Sequence, residues 1–124
     1  MKFELTLKRH PNFALAGHAK GHWRKKAGLT RDLRAFAKLL CLAKKQNRER
    51  WKVAIVHYEF YFPDNLERDA ANAIQCMKPA IDGCVDAGVI AKDCWQALSI
   101  GRVNCSIDRE NPRTVLIFEE LVKD

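Results

Sequence analysis

The sequence predicts a small α/β domain of the α+β kind, with a mixed sheet of about four strands and two main helices packed on one face, in the order βαβαββ. Three observations carry this expectation. Strand-like stretches rich in β-branched and aromatic residues alternate with two segments of helical period. The stretch "WKVAIVHYEFYF" presents a wholly apolar set at every second residue, so one sheet face must be covered. A chain of 124 residues is long enough for one core and short for two, so residues 1–124 are read as a single domain.

In order along the chain, residues 2–8 place Phe3, Leu5 and Leu7 on one face, the alternation of a half-buried strand. Residues 9–29 hold Pro11, Gly17, Gly21 and Gly28 without a period and read as a long loop. Thr30 is placed to cap a helix running to about Gln46, with Leu33, Phe36, Ala37, Leu40 and Ala43 as its buried face. Residues 51–62 form the second strand. Ala54, Val56, Tyr58, Phe60 and Phe62 face the core, and His57 and Glu59 point together to the exposed side. A polar loop then leads to Asp69, a plausible N-cap, and Gly88 is suited to stop the helical segment between them. Pro79 lies inside that segment, so the helix either kinks there or begins afresh. Residues 96–107 and 114–120 are the last two strands, separated by the turn "DRENPR".

A hydrophobic fraction of 48% and a charged fraction of 30% are ordinary for a soluble globular chain. No apolar run approaches the roughly 20 residues that span a bilayer. The first ten residues read as a strand rather than a signal peptide, and the expectation is a cytoplasmic protein without membrane partners. Five cysteines, an odd number with no C-x-x-C pair, indicate neither a disulfide framework nor a zinc ribbon, and three of them sit among apolar neighbours as buried thiols would.

The net charge of +7 is unevenly placed. Residues 1–52 carry 15 lysines and arginines against three acids, and residues 53–124 carry seven against twelve. A basic half suits a polyanion, and an acidic half beside it suits a cation. The basic half holds Lys20, Trp23, Arg24, Lys25 and Lys26, cations around an aromatic, as a loop that grips phosphate and stacks on bases needs. Arg31, Arg34, Lys38 and Lys45 fall within about 60° of one another at 100° per residue, continuing that charge along a helix. The plain alternative is a solvated loop and a solvated helix face.

Within Arg68–Asp93, Asp69, Asp82, Asp86 and Asp93 accompany one lysine, Lys78. Two positioned carboxylates suffice for Mg²⁺, which keeps several waters. In one straight helix Asp69 and Asp82 would lie about 20 Å apart, too far to share an ion. Asp93 lies beyond Gly88, so the chain can return it toward the start of the segment, and Asp69 with Asp93 is the better metal pair. Lys78 and Asp82, four residues apart, are placed to pair along a helix.

The stretch "PDNLERDAAN" (Pro63–Asn72), followed by Lys78, "DGCVDAGVI" (Asp82–Ile90) and Asp93, resembles the RusA family of Holliday-junction resolvases. That family carries an Arg-Asp-x-Asp-Asn signature, a lysine on the following helix, an Asp-Ala-Leu…Ala-Gly run and an Asp-Asp pair. "GHWRKKAGLTRDLR" (Gly21–Arg34) is similar to the basic segment of phage and bacterial relatives. The resemblance covers most of residues 21–93. It implies a homodimeric endodeoxyribonuclease of DNA recombination and repair that uses Mg²⁺, or Mn²⁺ in its place, to hydrolyse phosphodiester bonds in four-way DNA junctions. Asp69 and Asp93 would be metal ligands, Lys78 would contact the scissile phosphate, and Asn72 would support them. Arg68, the arginine of the signature, joins the cations that would hold DNA.

The chain also departs from the family. Ala71 stands where the second signature aspartate is expected, Lys92 replaces the first acid of the downstream pair, and the usual Pro-Pro-Ser is absent. Glu59, Asp64, Glu67 and Asp82 are the acids able to replace the lost ligand. Two further readings compete: a homologue that binds branched DNA without cutting it, and a small protein-interaction domain whose charge asymmetry drives association.

Overall fold

The computed structural model describes residues 1–15, 23–45 and 48–121. Four strands form one mixed sheet: β1 (Lys2–Leu7), β2 (Ala54–Phe62), β3 (Leu98–Ile107) and β4 (Arg113–Glu120), in the spatial order β1-β4-β2-β3. Among hydrogen-bonded neighbours only β2 and β3 run parallel; β4 is antiparallel to both β1 and β2. Among the described residues three α-helices lie in the two crossovers: α1 (Trp23–Lys45) between β1 and β2, after a short 3-10 turn at Phe13–Leu15, then α2 (Ala70–Cys76) and α3 (Lys78–Asp86) between β2 and β3. Parallel neighbours need such a crossover, whereas residues 108–112 are enough to carry the chain past the end of β2 into β4. The expected α+β architecture with helices over one sheet face is what forms.

The core lies between that face and the helices. Phe3, Leu5 and Leu7 of β1, alternate residues of β2 from Ala54 to Phe62, and Leu116 and Phe118 of β4 meet Ala37, Cys41, Ala73, Ala80, Ile81 and Cys84 of the helices. Period-two alternation aims each strand's apolar set the same way, and burying each large one contributes about 1.5–3 kcal/mol.

α1 starts seven residues before Thr30, at Trp23. "WRKKAGL" consists mainly of good helix formers, and their propensity outweighs Gly28, which had suggested a loop. The buried face of α1 is also rotated from the expected one. Ala37 and Cys41 are wholly buried and Leu33 and Leu40 partly so, but Phe36 and Ala43 are exposed. The cause is α3, whose Gly83 lets it approach so closely that small residues, not the bulkiest, form the contact. A Cβ on Gly83 would overlap the Arg34 carbonyl and lie 3.0 Å from Ala37 Cβ.

His57 is buried, not exposed. The β2–β3 register shifts between Val56 and Tyr58, setting Gly101 and Arg102 opposite His57. Gly101 has no side chain, so the imidazole lies where a Cβ would otherwise stand. The Arg102 N–H donates to Nδ1 at 2.9 Å, which makes Nδ1 an acceptor and leaves Nε2 facing Glu119 at 3.3 Å. The pairing is structural.

The expected break at Pro79 is real: α2 ends at Cys76 and α3 begins at Lys78, with Pro79 in its first turn where no N–H is missed. α3 ends in a Schellman motif. Val89 N–H donates to Cys84 O, Gly88 N–H donates to Val85 O, and Gly88 takes φ +82°. Strand β2 begins at Ala54 rather than at residue 51, and Trp51 instead bridges to Ile90. That bridge holds the returning chain after the Gly88 turn.

Candidate functional site

Lys78 opens α3 and sits at the centre of the acidic segment. Its Nζ donates to Asp82 Oδ1 at 2.5 Å, one turn further on, and to Asp93 Oδ2. Asp93 arrives there because the Schellman turn and the Trp51–Ile90 bridge send the chain back along α3. Burial lowers the Lys78 pKa, but its hydrogen bonds to Asp82 and Asp93, with their negative charge, outweigh it and the net direction is up. The same ammonium holds the Asp93 carboxyl below its ordinary range. Lys78 and Asp93 line a cavity of about 390 Å³ with Tyr58, Ile74, Leu98 and Trp95. Burial in that apolar wall pushes the Tyr58 hydroxyl up to about 12, so it stays a neutral donor.

Asp69 has a local task. Its Oδ1 accepts from Ala71 N–H at 2.8 Å and Asn72 N–H at 3.3 Å, the N-cap of α2. Its Oδ2 accepts no hydrogen bond among the described residues. Asp69→Ala is therefore expected to cost about 1 kcal/mol of stability, while Asp69→Asn keeps the cap and costs only a few tenths. Paired thermal melts check this and show which variant can test the charge without loosening α2.

The remaining acids divide by place. Asp64 pairs with Arg68 at 2.8 Å, and the Arg68 guanidinium lies 4.6 Å over the Phe62 ring. Glu67 is exposed, and Glu59 accepts from Tyr61 OH at 3.2 Å. Glu59 alternates with the core-facing residues of β2, so the sheet separates it from Lys78, and it cannot replace a ligand there. Among the described residues no three His, Cys, Asp or Glu side chains form a group able to hold a metal ion. The convergent pair is Asp82 with Asp93. Both meet one ammonium, whereas Asp69 binds only the backbone of its own helix.

The cations lie beside this cluster. With α1 beginning at Trp23, Arg24 joins Arg31, Lys38 and Lys45 within about 60° at 100° per residue. The stripe runs about 32 Å at 1.5 Å per residue. Arg31 and Lys38 are exposed and form no ion pair among the described residues. Arg34 differs, because Nε and Nη2 bind both oxygens of Asp86 on α3, at 2.6 and 2.9 Å. That fork ties the basic helix to the acidic one, and Asp82 and Asp93 also raise the Arg34 pKa after Asp86 itself. Lys25 and Trp23 are exposed, Lys26 is half-buried, and the Arg24 guanidinium lies 5.3 Å over the Trp23 ring. Lys20, with His18 and His22, falls outside the described residues, as does the expected helix end at Gln46.

Trp95 is the residue that sequence reasoning missed. Its signal was slight: a tryptophan in the polar stretch "KDCWQ", just ahead of the strand and outside its alternation.

Fold and site together define a small α+β domain whose cationic helix lies beside a lysine held by two carboxylates. No helix among the described residues is long and apolar enough to cross a membrane. No protein-family model matches the chain, and neither does any curated protein.

Proposed function

We propose that this protein is a metal-dependent endodeoxyribonuclease of the RusA kind, acting on four-way junctions or related branched DNA. The observation that supports it most is the Lys78–Asp82–Asp93 cluster beside a cationic helix stripe. A lone acidic cluster would repel DNA; one that carries its own lysine and takes a divalent cation does not.

The donor set fits Mg²⁺, which needs only one or two carboxylates with water and phosphate oxygens completing its shell. Asp93 and Asp82 would hold it, and Mn²⁺ accepts the same oxygens. When bound, the ion supplies Lewis-acid polarisation of the phosphate and a water acidic enough to act as nucleophile. The protein's own part is positional. Asp82 and Asp93 hold the Lys78 ammonium at the cavity's edge, charged at every physiological pH. A phosphate oxygen entering there takes over its hydrogen bonds and gains a donor aimed at developing charge. Arg24, Arg31 and Lys38 grip the backbone along α1 and contribute no sequence information. A homodimer would match the two-fold symmetry of a junction. The cytoplasm suits five free thiols, with the Cys41 and Cys84 sulfurs touching in the core and unjoined.

One observation favours the non-cleaving reading: Lys78 is already engaged by two acids, and Ala71 supplies no third. A synthetic four-way junction with Mg²⁺ separates the two. Symmetric nicks by the wild type, lost in Asp93→Asn and in Asp82→Asn with binding kept, are expected of the nuclease. Tight junction binding with no nicks in any variant leaves a junction-binding homologue.

A further inference from the structure

Trp95 is 81% exposed, although tryptophan is the most costly side chain to leave in water without a partner. It stands two residues after Asp93 and lines the same cavity as Lys78 and Asp93. The other walls are the polar Gln75 and the aromatic or aliphatic Tyr58, Ile74, Ile81, Leu98 and Ile100, of which Ile100 is itself 61% exposed. At about 390 Å³ the cavity falls within the roughly 300–1,000 Å³ that holds a small flat ligand. It therefore has an ion-paired lysine at one end, largely apolar sides and an exposed indole at its mouth.

A nucleotide has the complementary layout, with an anionic phosphate joined to a flat base that has two apolar faces. We propose that this cavity receives a nucleobase unstacked at the branch point of DNA, with Trp95 stacking on its open face while the adjoining phosphate lies at Lys78. The inference rests on the nucleic-acid reading above and adds the group that would tell branched from linear DNA. In a duplex both faces of each base are covered by neighbours, so the indole gains nothing. At a branch point a base is released at small cost, and stacking on tryptophan replaces the lost neighbour. The cationic stripe of α1 cannot make this distinction, because phosphates are alike in both DNAs.

The test uses the full chain with Ca²⁺ in place of Mg²⁺, so that DNA is bound and left whole. A labelled four-way junction and a linear duplex of the same sequence are titrated with wild type, Trp95→Ala and Trp95→Phe. Trp95→Ala is expected to weaken junction binding about tenfold, the scale of one base–aromatic stack, and to leave duplex binding within about twofold. Trp95→Phe keeps a ring and is expected within about threefold of wild type on both. Since the side chain is exposed, all three should melt at the same temperature. Equal losses on both DNAs, no loss on the junction, or a wild type with no preference for the junction would each overturn the inference. Cleavage in Mg²⁺ is scored separately. A wild type that shows the tenfold Trp95 effect but never cuts removes the nuclease reading and leaves base stacking standing.

Discussion

Lys78→Met is expected to lower junction cleavage by about a hundredfold or more, with junction affinity changed less than about threefold. Removing one preorganised donor from a site of developing charge typically costs about 10²–10³ in rate. Methionine matches the unbranched stem and the helix propensity of lysine, so α3 should form as before. What it lacks is the ammonium that joins Asp82 to Asp93. Single-turnover cleavage of a prebound junction measures the loss; a rate within threefold of wild type would remove Lys78 from the chemistry.

The same variant has a signature that does not depend on activity. Lys78 holds the Asp93 carboxyl below its ordinary range, chiefly through their hydrogen bond. A lowered carboxyl pKa contributes stability that is present above the unfolded-state value and is lost as pH falls through the folded-state value. The raised Lys78 pKa works in the opposite sense: its contribution is complete below the ordinary lysine value and is lost as pH rises through the raised one. The cluster is thus intact across the neutral range and loosens at both extremes. In Lys78→Met two carboxylates face each other with no cation between them, and the Asp93 titration, followed by carboxyl NMR, is expected to move upward.

Gly83→Ala is expected to destabilise the fold by about 2 kcal/mol, or roughly 8 °C in melting temperature, although alanine is the better helix former by about 1 kcal/mol. The added methyl would overlap the Arg34 carbonyl and meet Ala37 Cβ and Lys38 N at 3.0 Å. Two of those three atoms are backbone, so no rotamer change relieves the clash. α1 and α3 must separate, which loosens Ala37, Cys41, Ala80 and Cys84, all wholly buried. Gly83→Leu should go further and prevent a cooperative fold. Thermal unfolding followed by circular dichroism decides the matter; a melting temperature equal to or above that of wild type would mean that the helices can part without penalty. The consequence reaches the site, because α3 carries Lys78 and Asp82 and is held to the basic helix through Arg34 and Asp86.

Local chemistry made some of this legible without coordinates. Alternation in "KFELTL" and "AIVHYEFYF" determined which side of each strand is buried, because side chains on a strand repeat every two residues. Asp69 as a cap, Pro79 as a kink or a fresh start and Gly88 as a stop each follow from one residue's backbone needs; the cap and the stop hold, and of the two outcomes at Pro79 the fresh start is the one that forms. The pairing of Lys78 with Asp82 follows from four-residue spacing on a helix. The return of Asp93 was readable as soon as Gly88 was taken for a turn, but its company was not: the expected partner was Asp69, and Asp93 meets Lys78 and Asp82 instead.

What depended on the approach of two distant segments was not readable. His57 is buried because a register shift in β3 sets Gly101 against it, and no pattern within β2 announces a shift in its neighbour. The face that α1 buries is chosen by Gly83, 42 residues beyond Cys41, since helix periodicity alone cannot rank a stripe of small residues above one holding Phe36. Likewise the cavity that joins Trp95 to Lys78 exists only once α2 and α3 are laid against the edge strand β3. The sequence by itself determined where α2 is capped, where the helical segment breaks and where α3 stops, because those are choices of single residues. The tertiary structure decided which side chains meet, because that depends on how closely two backbones can pack.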